Sequence, residues 1–282
     1  MADQRRAYRI AYDGTPFHGF QRQPDVPTVE DAILDALRDL GVHGASDGVP
    51  QGYAAAGRTD AGVSARAQTV AFDAPAWLSP SALNGALPAS VRAWASTDVP
   101  SDFHATHDAR ARAYRYFLYA PTDGTGRAAG FDDARAGDAL DRLAGERDFH
   151  NLTPDEDGTV RDMETSAERD GEFLVVSLRA GGFARQLVRR VVGLVAAVGR
   201  GERSVASVER VLGEEPLAGP EGVAPAPAEP LVLWDVDYGV DFDGDEDAST
   251  AVHDVFGSRH DSRLAGARVA GAIRDGIGPR EN

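Results

Sequence analysis

The sequence contains no cysteine and no lysine among its 282 residues. Without cysteine there can be no disulfide, no thiolate zinc site and no cysteine nucleophile. Without lysine there can be no GxxxxGK[ST] phosphate-binding loop, which excludes a P-loop enzyme. No apolar run approaches the roughly 20 residues that a membrane span needs, and the first ten residues lack the apolar segment of a secretory signal. These absences predict a cytoplasmic protein that does not insert into a membrane.

The charge of the chain is strongly negative, with 45 acidic residues against 29 basic ones and a net charge of −16. Such a balance ordinarily argues against a nucleic-acid partner, because binding phosphate needs positive surface. Here every basic residue is arginine, and many acids with no lysine indicate adaptation to high salt. At about 1 M salt the Debye length is only about 3 Å, so net charge says little about partners. Clustered arginines can still bind phosphate through fixed bidentate geometry.

Hydrophobic periodicity predicts an irregular alternation of strands and helices. We expect strands at 4–12, 51–56, 67–72, 91–99, 109–120, 160–168, 172–180 and 231–238, and helices at 28–41, 79–87, 138–143 and 183–198. Hairpin signals among them favour an α+β fold with mixed or antiparallel sheets over a doubly wound parallel sheet. The predicted organisation is an N-terminal unit at 1–103, a second unit at 104–240, and an acidic, flexible tail at 241–282 with little periodicity.

The segment "AGRTDAGVSA" at 56–65 places an arginine and an aspartate between glycines. If the preceding strand continues through it, Arg58 and Asp60 project to one side and Thr59 points away. A nearby arginine favours the charged form of a carboxylate, so Asp60 is expected to remain an anion. The flanking glycines permit a sharp turn or the close approach of another molecule. A surface salt bridge between Arg58 and Asp60 is the structural alternative.

Two further segments concentrate arginine beside aromatic or apolar residues. In "ARARAYRYFLYA" at 109–120, Arg112, Tyr114 and Tyr116 share one face of a predicted strand, which suits base stacking and phosphate pairing as well as simple packing. In "GGFARQLVRRVVGLVAAVGRG" at 181–201, the arginines crowd the helix start, where cations oppose the helix dipole and therefore need an anionic partner or a solvated face. His104 and His107 lie three residues apart but lack further ligands, so we expect no metal site.

These blocks together resemble the tRNA pseudouridine synthase A family. "GRTDAGVSARAQ" at 57–68 is similar to the catalytic signature of that family, with Ser64 where histidine is commoner. "YDGTPFHGFQRQ" at 12–23, "LNGALPASVRAW" at 83–94, "FHATHDARARAYRY" at 103–116 and the block at 181–201 resemble the remaining motifs in the same order. The resemblance spans roughly residues 5–240 and departs most at 184–187, and Arg190 stands where asparagine is usual.

The resemblance implies a pseudouridine synthase fold, in which two α+β subdomains meet at a central RNA-binding cleft. It implies that Asp60 is catalytic, that Tyr114 lies against the target base, that Arg189 is the partner of the aspartate, and that Arg58 assists in displacing the uridine. Four other arginines are candidate RNA contacts: Arg22, Arg112, Arg185 and Arg190.

The family isomerises uridine at positions 38 to 40 of the tRNA anticodon arm, without cofactor or metal and as a homodimer with the RNA lying across both subunits. Whether Asp60 attacks the ribose, adds to the uracil ring or assists a glycal route stays open, and Tyr114 is one possible C5 base. Two other classes remain as alternatives: an RNA-binding or chaperone protein without chemistry, and a carboxylate-pair glycoside hydrolase. The second needs another acid in a comparable glycine-bounded setting, and none is found.

Overall fold

A single mixed β-sheet runs through the molecule. The computed structural model describes residues 3–44, 48–122, 130–217, 219 and 222–277. Within these ranges the strands are β1 (Gln4–Tyr12), β2 (Ala54–Ala55), β3 (Ser64–Ala74), β4 (Val91–Asp98), β5 (Ala111–Tyr119), β6 (Gly145–Asp148), β7 (Val160–Asp170), β8 (Phe173–Ala180), β9 (Leu231–Asp237) and β10 (Asp243–Gly244). Their order is β10-β4-β1-β3-β9-β5-β8-β7-β6, with β2 paired to β3.

Four of the six α-helices in the described ranges begin at a side chain that caps the first turn. They are α1 (Val29–Asp39), α2 (Pro80–Asn84), α3 (Asp133–Leu143), α4 (Leu187–Gly199), α5 (Ser207–Val211) and α6 (Glu246–Gly276), with a 3-10 turn at His150–Leu152. Thr28 caps α1 by accepting from the Asp31 amide at 3.2 Å, and its hydroxyl donates to the Asp31 carboxylate at 2.6 Å. Thr28 and Asp31 are thus bonded in both directions at the start of α1.

Two hydrophobic cores lie along the sheet. The first contains residues of β1, α1 and α2, and the second contains residues of α3 and α4. Strand β9 joins the two halves, because it pairs in parallel with β3 and antiparallel with β5. Its Leu231 belongs to the second core, whereas Leu233 and Val236 belong to the first. Residues 104–240 therefore contribute to both cores, and the division into 1–103 and 104–240 stays a prediction.

The segment after residue 240 forms regular secondary structure, which its weak periodicity did not predict, and its flexibility stays a prediction. Strand β10 pairs with β4, and α6 follows it for 31 residues. Asp245 caps α6 by accepting from the Ala248 amide at 2.9 Å, and it also accepts from the amide and hydroxyl of Ser81. The hydropathy pattern missed this helix because most of it is exposed and only Ala248 is buried. Its attachment depends on polar anchors rather than on an apolar stripe.

Several other elements differ from their predicted bounds. The predicted strand at 51–56 is reduced to Ala54–Ala55. The predicted helix at 183–198 begins at Leu187, because Gln186 adopts a left-handed conformation with φ of 61°. The chain before it is thus left as a loop that can form the wall of a cleft. No helix in the described ranges is long and apolar enough to cross a membrane.

Candidate active site

The turn at residues 57–63 is fixed by hydrogen bonds from both sides. The Val63 amide donates to the Asp60 carbonyl at 3.1 Å, and the Gln68 side chain donates to the Gly57 carbonyl at 2.9 Å. The hydroxyl of Thr59 lies 2.8 Å from that of Tyr12, and both residues are buried. Thr59 thus points inward as expected, which leaves its neighbours directed towards the cleft.

The glycine-rich loop between β1 and α1 packs directly against this turn. A Cβ added at Gly14 would lie 2.1 Å from the Val63 carbonyl oxygen, so no other residue fits there without moving the backbone. Gly19 has a φ of 100°. The backbone amide of the next residue, Phe20, donates to the Thr59 carbonyl at 3.1 Å. Two glycines of the block at 12–23 are therefore required by close contact between two backbone segments.

Asp60 is paired with Arg189 from the first turn of α4. The Arg189 Nη1 donates to the Asp60 Oδ2 at 3.0 Å, and its Nε donates to the Ala226 carbonyl at 2.8 Å. The Ala226 amide donates in turn to the Arg189 carbonyl at 2.9 Å. The Ala226 carbonyl therefore holds the Arg189 guanidinium at Nε, while Nη1 bonds the Asp60 carboxylate. Only 18% of the Arg189 side chain is exposed, against 36% of that of Asp60.

Arg58 is exposed and also borders the cleft, but it does not pair with Asp60. No hydrogen bond or ion pair of Arg58 is found with any residue in the described part of the chain. The structural alternative of a surface salt bridge within the turn is thus wrong, because the partner of Asp60 comes from α4, more than a hundred residues away. The guanidinium of Arg58 is left available at the rim of the cleft.

Tyr114 lines the same cleft from β5. Its ring meets that of Phe183 edge to face, with centroids 5.2 Å apart and planes at 89°. Burial raises the pKa of Tyr114 to about 12, the Arg112 cation opposes this shift, and the Asp60 carboxylate adds to it. The phenol is therefore neutral at any physiological pH. A neutral ring fixed by an aromatic neighbour is a suitable surface for a base to stack on.

The cleft has a volume of about 860 Å³. Its walls come from the loop before α1, the turn at 57–60, β5, and the loop that leads into α4. Three arginines and three acids line it: Arg58, Arg185, Arg189, Glu30, Asp60 and Asp155. That even balance contrasts with the large acidic excess of the whole chain. The cleft is therefore much less repulsive to a phosphate backbone than the average surface.

Two of the candidate RNA-contacting arginines have internal partners. Arg190 donates to the Val223 carbonyl at 2.6 Å and to the Gln186 side chain at 3.3 Å, and it does not line the cleft. Arg112 donates to three backbone carbonyls, those of Ala56, Thr106 and Gly181. This arginine ties the segment before the turn at residues 57–63 to the loop before α4. Both side chains hold the walls of the site together.

The other two candidates lie at the surface. Arg22 pairs with Asp31 at 2.9 Å, and Arg185 pairs with Asp155 at 3.2 Å. About half of each arginine side chain is exposed, and Arg185 borders the cleft. Exposed pairs of this kind contribute at most about 1 kcal/mol, so either arginine can exchange its carboxylate for a phosphate at small cost.

No group of three or more metal-binding side chains is found among the residues that the structure describes. The rings of His104 and His107 lie 4.2 Å apart, and Nδ1 of His104 is already occupied as the acceptor for the Thr106 amide at 3.2 Å.

Sequence reasoning missed two residues of the site. Phe183 orients Tyr114, and Ala226 supplies the backbone groups that hold Arg189. Phe183 was placed on the apolar face of a helix, although it lies in the loop before α4. The sequence could not reveal the role of Ala226, because only its backbone amide and carbonyl bond Arg189.

The comparisons with known proteins agree on one family. The family model described as tRNA pseudouridine synthase matches residues 139–239. The tRNA pseudouridine synthase A of Haloarcula marismortui is 60% identical over 274 residues, covering 96% of this chain and all of the relative. That of Natronomonas pharaonis is 61% identical over 269 residues, covering 95% and 98%. That of Methanosarcina mazei is 36% identical over 248 residues, covering 86% and 88%.

Proposed function

The chain belongs to the tRNA pseudouridine synthase family of isomerases, and from this we propose that Asp60 is its catalytic carboxylate and that it acts on uridines 38 to 40 of the anticodon arm. The observation that supports the assignment is the Asp60 carboxylate held 3.0 Å from the Arg189 guanidinium in a cleft that Tyr114 and Arg58 also line. No other cleft acid combines an arginine partner with a glycine-bounded turn.

The reaction explains why an anion is needed at this position. Uridine becomes pseudouridine when the N1–C1′ glycosidic bond breaks, the uracil rotates and C5 bonds to C1′. A proton then leaves C5 and N1 gains one, so the atoms are conserved. Attack on the ribose, addition to the ring and assistance of a glycal all place a carboxylate beside the glycosidic bond. The Arg189 guanidinium lies 3.0 Å from the Asp60 carboxylate and fixes its direction.

The base must leave its stack before this chemistry can start. Extrusion costs a few kcal/mol, which the protein repays through stacking and contacts to the flipped nucleotide. We assign the stacking surface to Tyr114 and the occupation of the vacated space to Arg58, which is exposed at the rim. Because the Tyr114 phenol is neutral, we assign it a stacking role rather than that of the base that removes the C5 proton.

Variants of Tyr114 separate these two roles. Tyr114→Phe should retain activity within a few-fold, whereas Tyr114→Ala should lose about 10- to 100-fold, corresponding to one stacked base. The measurement is the single-turnover rate on unmodified tRNA from neutral pH to about pH 10. Since the pKa of Tyr114 is raised to about 12, no step from it is expected in this range. A collapse of activity in the phenylalanine variant would show that the hydroxyl itself takes part.

Mapping pseudouridine in tRNA after reaction tests the proposed function. The wild-type protein should form pseudouridine at positions 38 to 40 of an unmodified transcript, and a transcript with cytidine at those positions should stay unchanged. Binding without product formation would instead support the RNA-binding or chaperone alternative.

The proposal includes a homodimer that acts in the cytoplasm. The molecular mass measured by light scattering, with and without tRNA, tests whether the protein is a dimer.

We also propose that the protein works at high salt, because its acidic surface repels itself in dilute buffer. Activity and melting temperature should fall steeply when potassium chloride is lowered from about 2 M to about 0.1 M, as the Debye length grows from a few ångströms to about 10 Å. Sucrose at matched osmolality is the control, since it does not screen charge. Full activity in dilute buffer would contradict the proposal.

A further inference from the structure

A carboxylate outside the cleft is buried and heavily bonded. Asp13 follows β1, and only 2% of its side chain is exposed. One carboxylate oxygen accepts from the amide and hydroxyl of Thr15 at 3.1 and 2.6 Å. Burial alone would raise the pKa of Asp13, but the bonds from Thr15 and Arg263 outweigh it and lower the pKa to about 2. The group is therefore an anion that needs cations nearby.

Those cations come from the far end of the chain. Arg259 and Arg263, one turn apart on α6, both donate to the second carboxylate oxygen of Asp13, with Arg263 at 2.6 Å. Arg263 also donates to the hydroxyl of Thr15 at 3.1 Å. Two arginines on one buried oxygen are more than a surface helix needs for its own attachment, since α6 is already fixed at its start by Asp245.

Asp13 is in turn next to the segment that carries Asp60. The amide of Gly14 donates to the hydroxyl oxygen of Ser64 at 3.0 Å, and the Gly14 backbone touches that of Val63 with no room for a side chain. The Val63 amide closes the turn by donating to the Asp60 carbonyl at 3.1 Å. A shift of Gly14 would therefore move the turn that orients the catalytic carboxylate.

We propose that α6 is a positioning element for catalysis, in which Arg259 and Arg263 act through Asp13 to hold the glycine loop against the catalytic turn. This inference rests on the proposed function of Asp60. It makes the two arginines positioning residues, because neither lines the cleft. A displacement of about 1 Å at a catalytic group can cost about 100-fold in rate, so a contact outside the cleft can control the reaction.

The test compares two double variants of the full-length protein that remove equal charge from the same helix. Arg259→Gln with Arg263→Gln should lower kcat by about 10- to 100-fold with KM for tRNA within about twofold. Arg268→Gln with Arg274→Gln should leave both constants within about twofold. Arg268 and Arg274 are exposed on α6, and Arg274 pairs only with its neighbour Asp275 in the described ranges. Equal effects in the two variants, an effect confined to KM, or an unchanged kcat would overturn the proposal.

A second measurement does not depend on activity. Hydrogen exchange at the Val63 amide should be at least about fivefold faster in the Arg259/Arg263 variant than in the Arg268/Arg274 variant, because local opening of the turn becomes easier. Equal exchange rates at the Val63 amide in the two double variants would refute the coupling.

If the Arg259/Arg263 double variant does not fold, Arg263→Gln alone should give a smaller fall in kcat, and Arg263→Lys should recover part of that fall. A wild-type protein that forms no pseudouridine would refute the proposed function, whereas exchange at Val63 would still report on the coupling.

Discussion

Asp60→Asn should lower pseudouridine formation by at least about 10³-fold, the largest effect expected of any single substitution in this protein. Asparagine keeps the size of the side chain and can still accept a hydrogen bond from Arg189. It cannot supply the negative charge that every route through the broken glycosidic bond requires. The measurement is the single-turnover rate on unmodified tRNA, together with filter binding of the same tRNA.

The control for Asp60 is the other cleft aspartate that pairs with an arginine. Asp155→Asn removes the same charge from the cleft and leaves Arg185 without its carboxylate. It should keep activity within about threefold, since an exposed pair contributes little. Tight tRNA binding by both variants would show that only chemistry differs. Retained product formation in Asp60→Asn would end the assignment of Asp60.

Arg189→Gln should lower kcat by about 10²-fold. The substitution removes the cation beside Asp60 and also the donor to the Ala226 carbonyl, so the carboxylate loses both its partner and its fixed direction. Arg189→Lys keeps the charge but cannot make both bonds at once, and it should lie between wild type and glutamine. The readout is kcat at saturating tRNA.

Arg185→Gln is the matched control, because Arg185 borders the same cleft from the loop before α4 and also pairs with an aspartate, Asp155. We expect a change in KM without a large change in kcat. If both variants lowered kcat equally, the effect would reflect general positive charge in the cleft rather than the pair with Asp60.

Local patterns predicted the elements well where hydrophobic periodicity was strong. The strand at Gln4–Tyr12 and the capped helix at Val29–Asp39 lie where the sequence placed them. The α+β class and the inward direction of Thr59 are also confirmed. These features depend on residues close together in the chain, and such residues carry their own signal.

The features that the sequence did not predict depend on distant or backbone partners. Arg112 donates to three carbonyl oxygens, which no side-chain pattern reveals, and its contact with RNA stays a prediction. The hydrogen bond between Arg263 of α6 and Asp13 joins residues 250 positions apart. The Asp60–Arg189 pair was expected from family resemblance and not from periodicity. Long-range pairs of charges have no local period, so only a three-dimensional structure brings them together.

The placement of β9 between β3 and β5 sets the order in which the protein can mature. Strand β3 leads directly out of the turn that carries Asp60, and its partner β9 follows it by about 170 residues, a separation that delays pairing. On the ribosome, the first half of the chain must therefore wait with an unpaired strand edge until β9 has been synthesised. In the last part of that interval Arg189 has been translated but has no fixed Ala226 to hold it. A nascent chain is thus expected to be inactive, and exposed to aggregation, until its last sheet strands are in place.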